Sequence, residues 1–183
     1  MLTDENDENK LWIHAHFGTS DIEEIFSKLR FMIIGCNCKW IIIDHLHMLV
    51  SSVTEGDERR AIDSIMTRLR SIVEETGAGL ILVSHLRRVI GNKGHEDGIQ
   101  VNLSHLRGSQ GIAQLSDCVI ALERNQQSDD PEESNTTVLR VLKSRYTGDV
   151  GYATSLFYDK NTGRLSELEL DSFESTMVEP IWN

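Results

Sequence analysis

Two polar residues end two strongly apolar segments, at positions suited to phosphate and metal chemistry. Asp44 closes the run that begins at Trp40, and His85 closes the run that begins at Leu80. An aspartate at such a position can hold a hydrated Mg²⁺, and a polar residue on a neighbouring strand can sense a γ-phosphate. Taken singly, Asp44 could only cap a loop and His85 could be a hydrogen-bonded structural histidine. Together the two residues favour a nucleotide-driven motor.

The apolar pattern predicts the elements that must position these residues. Period-two or continuous apolar runs predict strands, and apolar positions at helical spacing predict helices. A helix is expected to begin at an N-cap within 19–21 and to close at Gly35. Further helices are predicted over 57–75 and 109–115, and strands over 11–17, 40–44, 79–84, 118–122, 138–143 and 152–158.

The order of these elements predicts an α/β fold. The strands up to residue 122 alternate with helices, which is typical of a parallel sheet with right-handed crossovers. The last two strands flank the turn at Thr147-Gly148-Asp149 and are expected to extend the sheet in the antiparallel sense. Asp44 and His85 should then share the carboxyl edge of the sheet, where ligands bind in such folds. Residues 129–133 are predicted to form a surface loop.

Composition excludes several classes of protein. With 183 residues, 39% of them hydrophobic, the chain is long enough for one domain with its own core. A net charge of −11 argues against indiscriminate binding to nucleic acid or to anionic membranes, although a basic inner surface would be compatible with it. Three cysteines without a CxxC pair fit a reducing compartment and no structural zinc site. No apolar run approaches the roughly twenty residues that span a bilayer, so we expect a soluble intracellular protein without a membrane partner.

Three longer segments carry a family resemblance. They are NLSHLRGSQGIAQLSD at 102–117, ALERNQQ at 121–127 and LKSRYTGDVG at 142–151. These segments resemble the later motifs of the RecA-like replicative ring helicases. The resemblance is strongest to the primase-helicases of podovirus-type bacteriophages and to their mitochondrial relative Twinkle, and weaker to bacterial DnaB. It runs from about Leu11 to Leu165.

The resemblance implies a RecA-like P-loop NTPase core, of which this chain would be the later half. Residues 1–165 would form the partial core, a mainly parallel sheet flanked by helices with an antiparallel C-terminal extension. Residues 166–183 would form an acidic, flexible tail. No GxxxxGK[ST] segment occurs in the sequence, and we expect that loop, together with a water-activating glutamate, before Met1. The isolated chain is then expected to be inactive.

The resemblance also implies roles for individual residues in the nucleotide site. Asp44 matches the Walker B aspartate, which holds Mg²⁺ through water, and His85 matches the γ-phosphate sensor. Arg145 matches an arginine finger that enters the site of the neighbouring subunit. Arg124 and Tyr158 match the pair that sandwiches the base. The implied cofactors are Mg²⁺ and ATP or dTTP.

Further residues are implied to contact single-stranded DNA. The loop after His85 carries Arg87, Arg88 and Lys93, and the corresponding loop of the helicases lines the central channel. Gly108 matches a position at the DNA. Gln114 is assigned to the nucleotide-binding set with Arg124 and Tyr158, and it matches a glutamine that couples nucleotide state to DNA. A solvated basic loop is the alternative interpretation of the three cations.

The implied function is that of a replicative hexameric DNA helicase that couples NTP hydrolysis to 5′ to 3′ translocation on single-stranded DNA. The alternative is a RecA-like module without a P-loop that binds or regulates a complete helicase; a recombinase or clock-type ATPase fits the motifs less well. The partners would be identical subunits in a ring, single-stranded DNA and, through the tail tip Ile181-Trp182, a replicative polymerase. The compartment would be the cytoplasm of a bacterium or a phage-infected cell, or the mitochondrion for a Twinkle relative.

Overall fold

The structure is a computed structural model that describes residues 11–14, 21–50, 58–88, 94–108 and 110–168. The chain forms two compact units. The first comprises Met1–Leu86 and Leu106–Leu115, and the second comprises Arg87–His105 and Ser116–Asn183. Within the described ranges, no helix has the length and apolarity that crossing a bilayer requires.

The first unit is built around a parallel pair of strands. Its elements are α1 (Ile22–Arg30), a π-helical turn (Phe31–Gly35), β1 (Trp40–Ile43), α2 (Leu46–Val50), α3 (Glu58–Thr76), β2 (Gly79–Leu82) and α4 (Gln110–Leu115). β1 and β2 are parallel, with Trp40 opposite Gly79 and Ile43 opposite Leu82. The helices at 22–35, 57–75 and 109–115 are therefore confirmed in type and in approximate extent.

The helices of this unit follow from local sequence signals. Asp21 caps α1, and its carboxylate accepts a hydrogen bond from the backbone N–H of Glu23 at 3.0 Å. α3 places one apolar stripe in the core because residues three and four apart share a helix face. The buried residues of that stripe are Ile62, Ile65, Met66, Leu69 and Ile72.

The second unit is built around a four-stranded antiparallel sheet with strand order β3-β4-β5-β6. Its elements are a 3₁₀ turn (Leu103–His105), β3 (Cys118–Glu123), α5 (Pro131–Asn135), β4 (Thr136–Ser144), β5 (Gly151–Asp159) and β6 (Arg164–Leu168). The antiparallel extension is confirmed, and its strands are longer than predicted.

The pairing of β3 differs from the prediction. The strand itself is where we expected it, but it pairs antiparallel with β4, whereas we placed it in the parallel alternation. The reason is the length of β4. This strand has nine residues and pairs with β3 along one edge and with β5 along the other. The backbone groups of β3 are thereby satisfied in the antiparallel sheet.

Other differences are local. Residues 11–14, the described part of the predicted strand 11–17, adopt no regular element. The predicted loop at 129–133 overlaps the start of the short helix α5, which Asp130 caps by accepting the N–H of Glu132 at 2.9 Å. α2 and β6 were not predicted, and β6 runs to Leu168, beyond the expected core end at 165. The tail from 169 onward lies outside the described residues.

Candidate functional site

Asp44 and His85 lie at the same edge of the parallel strand pair. Ile43, the last residue of β1, is opposite Leu82, the last residue of β2. Beyond that pair, the N–H of Val83 donates to the carbonyl of Ile43 at 2.9 Å. Asp44 follows Ile43 directly and His85 lies two residues after Val83, so the predicted location at the carboxyl edge agrees with the structure.

The Asp44 side chain fits a metal-binding role. Asp44 is exposed at the edge where nucleotide phosphates bind in open α/β sheets. Its carboxylate supplies the hard oxygen ligand that Mg²⁺ prefers, and Mg²⁺ commonly keeps several of its waters. The residue present at this position therefore suits a water-mediated Mg²⁺ contact.

His85 belongs to a cluster of three histidines. Its ring centroid lies 4.0 Å from that of His45 and 5.4 Å from that of His47. His45 and His47 are 6.0 Å apart by the same measure. The sequence pattern did not lead us to His45 and His47, although an HxH triplet shortly after an apolar strand is a signal that could have indicated them.

A carboxylate and a guanidinium adjoin this cluster. Nε2 of His47 is 4.0 Å from Oε1 of Glu58, and Nη2 of Arg107 is 3.4 Å from the same oxygen. Burial, and then the positive charge of Arg107, lower the pKa of His47, while Glu58 opposes the shift. These surroundings favour the neutral form of the His47 ring.

The segment that contains Arg107 and Gly108 lies beside the end of β2. The N–H of Arg107 donates to the carbonyl of His85 at 3.1 Å, and Leu106 forms a bridge with Leu86. Gly108 has a φ of 108°, and a Cβ there would overlap Cδ1 of Ile62 in the core. Gly108 thus has a packing role, while its predicted contact with DNA stays a prediction.

Gln114 occupies α4 in the same unit, and its side chain is exposed. α4 is short, and it buries Ile112 against the core of the unit. The exposed face of α4 therefore presents Gln114 to solvent. Its predicted coupling role remains a prediction.

Arg145 is held at the end of β4 in the second unit. Its Nη1 lies 3.0 Å from Oδ1 of Asp117, and its backbone N–H donates to the Asp117 carbonyl at 2.8 Å. Nearby, Lys143 donates to the carbonyl of Ser116 at 2.8 Å. The Arg145 side chain remains exposed, as an arginine that reaches toward another subunit would need to be.

Arg124 directly follows β3, and Tyr158 lies on β5 of the same antiparallel sheet. Nε of Arg124 donates to the carbonyl of Ser134 at 2.6 Å, which ties the guanidinium to α5. Tyr158 is on β5, opposite Leu165, and its side chain is 36% exposed. Because β4 separates β3 from β5, the two strands are roughly 10 Å apart. A base between these side chains stays a prediction.

The predicted DNA loop is described only in part. Arg87 and Arg88 are exposed, and the N–H of Arg87 donates to the carbonyl of His105 at 2.8 Å. The carbonyl of Arg87 lies 3.1 Å from Nε2 of His95. Lys93 lies outside the described residues. The start of the loop is thus anchored while its two arginine side chains face solvent.

A buried ion pair in the second unit was not predicted from the sequence. Oε1 of Glu123 lies 3.0 Å from Nε of Arg140, and it accepts the N–H of Val101 at 2.7 Å. Glu123 is 8% exposed. It lies in the ALERNQQ segment, so this part of the motif has a structural role.

Comparisons with known proteins show the family of the chain. Residues 2–167 match the family model of the DnaB-like helicase C-terminal domain. The chain is 40% identical over 153 residues to a DNA helicase/primase of Enterobacteria phage T3. That match covers 84% of this chain and 26% of the relative, so the chain spans about a quarter of the length of that protein.

Solved structures are similar as well. One of them, an ATPase domain, has a TM-score of 0.64 and 26% identity, covering 81% of this chain and 52% of that one. The structure of a DnaB-like replicative helicase, described with its interactions with primase, has a TM-score of 0.66 and 26% identity. The match covers 81% of this chain and 36% of that one.

A KaiC-like protein from Pyrococcus horikoshii has a TM-score of 0.54 at 15% identity, covering 81% of this chain and 57% of that one. Similarity at this level of identity shows the fold alone. The fold is therefore that of a RecA-like ATPase domain. By its family match and its phage relative, this chain belongs to the DnaB-like helicase C-terminal domain family.

Proposed function

We propose that this chain supplies part of the NTPase and DNA-contacting machinery of a replicative hexameric helicase that moves 5′ to 3′ on single-stranded DNA. One observation carries the proposal. The register of β1 and β2 brings Asp44 and His85 to one carboxyl edge, where an open α/β sheet binds its ligand. Membership of the helicase family supports the same conclusion.

Asp44 would hold Mg²⁺ through water. When bound, the ion would neutralise negative charge on the phosphates of ATP or dTTP. His85, one strand away, would contact the γ-phosphate and respond to its loss. Because β1 and β2 are hydrogen-bonded neighbours, a displacement of the end of one strand would displace the end of the other.

Arg145 would act in the site of a neighbouring copy of the chain. It is exposed and its backbone is fixed to Asp117, so the guanidinium can be presented outward from a rigid strand end. An arginine finger supplied in trans contributes roughly 10³ to 10⁵ in rate. Arg124 and Tyr158 would hold the base, since guanidinium planes and aromatic rings stack on flat groups.

Arg87, Arg88 and Lys93 would contact the phosphates of single-stranded DNA, with Gly108 near the strand and Gln114 coupling nucleotide state to it. The anchored Arg87 backbone supports this role, because a fixed loop start limits the ordering cost of binding. Identical subunits would form the ring, and the acidic tail would contact a replicative polymerase. We propose the cytoplasm of the host cell as the site of action.

A chimaera tests the proposal. The matching segment of the phage T3 DNA helicase/primase, 40% identical over 153 residues, is replaced by this chain. We expect DNA-stimulated hydrolysis of ATP or dTTP and unwinding of a forked duplex. Asp44→Asn should abolish the stimulated hydrolysis, and Asp129→Asn, an exposed aspartate outside the site, should leave it unchanged.

Two outcomes would contradict the proposal. A chimaera that forms rings yet neither hydrolyses NTP nor unwinds DNA would favour the regulatory-module alternative. Equal hydrolysis by the Asp44→Asn and unsubstituted chimaeras would show that Asp44 has no part in the site.

A further inference from the structure

We propose that His45, His47 and His85 form a binding site for a transition-metal dication of the kind that prefers imidazole ligands, with Zn²⁺ the leading candidate. The site would be distinct from the Mg²⁺ contact proposed for Asp44, since it uses nitrogen rather than oxygen ligands. All three histidines belong to the first unit, at the carboxyl edge of β1 and β2.

The geometry of the cluster suits one ion. A nitrogen from each of the three rings can be chosen so that all three atoms lie within 4.8 Å of one another. On a tetrahedral zinc ion with bonds of about 2.0 to 2.1 Å, the ligand nitrogens are about 3.3 Å apart. Binding would therefore draw the three nitrogens closer together through rotation of the side chains.

Three ring nitrogens of the cluster, all on His45 and His47, are buried without hydrogen bonds in the described part of the chain. Nδ1 of His45 and both ring nitrogens of His47 have no hydrogen-bond partner in the described part of the chain. Buried polar atoms in proteins are ordinarily paired, and a bound metal ion is one group that satisfies a nitrogen of this kind. A metal held by the cluster would take one nitrogen from each ring.

Glu58 adds a second feature of metal sites. Its Oε1 lies 4.0 Å from Nε2 of His47, which is too long for a hydrogen bond but close enough to become one after a small rotation. Ligand histidines usually donate their other ring N–H to a carboxylate, which fixes the ring. Glu58 can therefore orient His47 if Nδ1 binds the ion.

The ligand set selects the class of ion. Three imidazoles favour zinc, nickel or copper, whereas Mg²⁺ and Ca²⁺ prefer oxygen ligands. Three protein ligands leave the fourth zinc position open. A metal held there would occupy the His85 ring and so prevent it from contacting a γ-phosphate; this consequence rests on the proposed function, whereas the binding itself does not.

The test is metal binding by the untagged 183-residue chain, measured without nucleotide or DNA. Co²⁺ reports its own coordination through visible absorption, and Zn²⁺ is then added to displace it. We expect saturation at one equivalent of Co²⁺, displacement by Zn²⁺, and no displacement by millimolar Mg²⁺. His47→Gln and His45→Gln should each weaken binding at least about tenfold.

His95→Gln is the matched control, because it removes a histidine that lies in the second unit near His105. It should bind Co²⁺ like the unsubstituted chain. Thermal melting gives a second readout, since an ion that binds only the folded state raises Tm with increasing concentration. We expect that rise in the unsubstituted chain and in His95→Gln, and not in His47→Gln.

Three results would overturn the proposal: no saturable Co²⁺ spectrum, unchanged binding in both His45→Gln and His47→Gln, or loss of binding in His95→Gln. Because no nucleotide is present, each of these results would leave the proposed helicase function standing. Conversely, an inactive chimaera would leave the metal measurement unaffected.

Discussion

Arg145 is tied to Asp117 by two contacts, an ion pair of 3.0 Å between Nη1 and Oδ1 and a backbone hydrogen bond of 2.8 Å. The backbone bond fixes where the side chain starts, and the ion pair fixes where the guanidinium rests. Both side chains are partly exposed, and such pairs contribute about 0 to 1 kcal/mol to stability. We therefore expect Arg145 to matter for activity more than for the stability of the fold.

Replacing Arg145 by alanine should separate these two roles. In the chimaera, Arg145→Ala is expected to lower DNA-stimulated NTP hydrolysis by roughly 10³ or more. In the isolated chain it should change the free energy of unfolding by less than about 1 kcal/mol, because the ion pair is solvated. Steady-state hydrolysis and urea denaturation measure the two quantities.

Arg164→Ala is the control for Arg145→Ala, since Arg164 is an exposed arginine on β6 of the same unit. It should leave both hydrolysis and stability unchanged. If Arg145→Ala and Arg164→Ala had equal effects on hydrolysis, the finger assignment would be wrong.

Gly108→Ala should destabilise the chain by about 1 to 3 kcal/mol. The new Cβ would overlap Cδ1 of the buried Ile62, and the φ of 108° is unfavourable for any side chain. Ile62→Val removes that methyl group and alone should cost about 0.5 to 1.5 kcal/mol. In the Gly108→Ala background it should cost less, because it relieves the overlap. Urea denaturation of the four proteins gives the coupling.

Gly148→Ala separates the overlap from the backbone strain. Gly148 has a φ of 77°, but a Cβ there would meet nothing within 4 Å. Its substitution should therefore cost less than that of Gly108. Equal losses at both glycines, or additive effects of Gly108→Ala and Ile62→Val, would contradict the packing role.

Removing Arg140 should lower the stability of the fold more than removing an exposed arginine. The carboxylate of Glu123 is buried, and without Arg140 the N–H of Val101 would be its one remaining partner among the described residues. An unpaired buried charge costs about 3 to 5 kcal/mol. Arg140→Leu is therefore expected to lower the urea midpoint strongly, and Glu123→Leu in addition should restore part of the loss. A double variant less stable than Arg140→Leu would count against this account.

The contact between Glu23 and Arg68 predicts a dependence of stability on pH. Hydrogen bonds from Arg68 at 2.5 and 2.7 Å, followed by its charge and that of Arg30, hold the pKa of Glu23 below its ordinary value of 4.5. A depressed folded-state pKa stabilises the fold at pH values above the unfolded-state pKa, and this stabilisation is lost as pH falls through the folded-state pKa.

Glu23→Gln should therefore lower Tm at pH 7, and its difference from the unsubstituted chain should shrink as pH falls below 4.5. Thermal melts across that range measure the difference. Arg68→Met should lose the same pH-dependent component, together with the contact of Arg68 over the Phe26 ring at 4.0 Å. A difference between Glu23→Gln and the unsubstituted chain that grew toward acid pH would refute this interpretation.

Helix α3, the Asp21 cap and the positions of Asp44 and His85 could be predicted because each depends on neighbours along the chain. An apolar stripe of period 3.6 determines a helix and its buried face, and a short apolar run that ends in a polar residue determines a strand end. Helices, caps and strand ends of this kind depend on residues close together in the chain, so the sequence by itself specified them.

The pairing of β3 with β4, the burial of Glu123 against Arg140 and the cluster of His45, His47 and His85 depended on the tertiary structure. Each joins segments that are distant in sequence, and periodicity says which face of a strand is apolar without saying which other strand completes its hydrogen bonds. Only the register of β1 with β2 placed His85 beside the HxH triplet that follows β1. Such clusters are formed by contacts between helices and strands, and the residue pattern within a single helix or strand cannot predict those contacts.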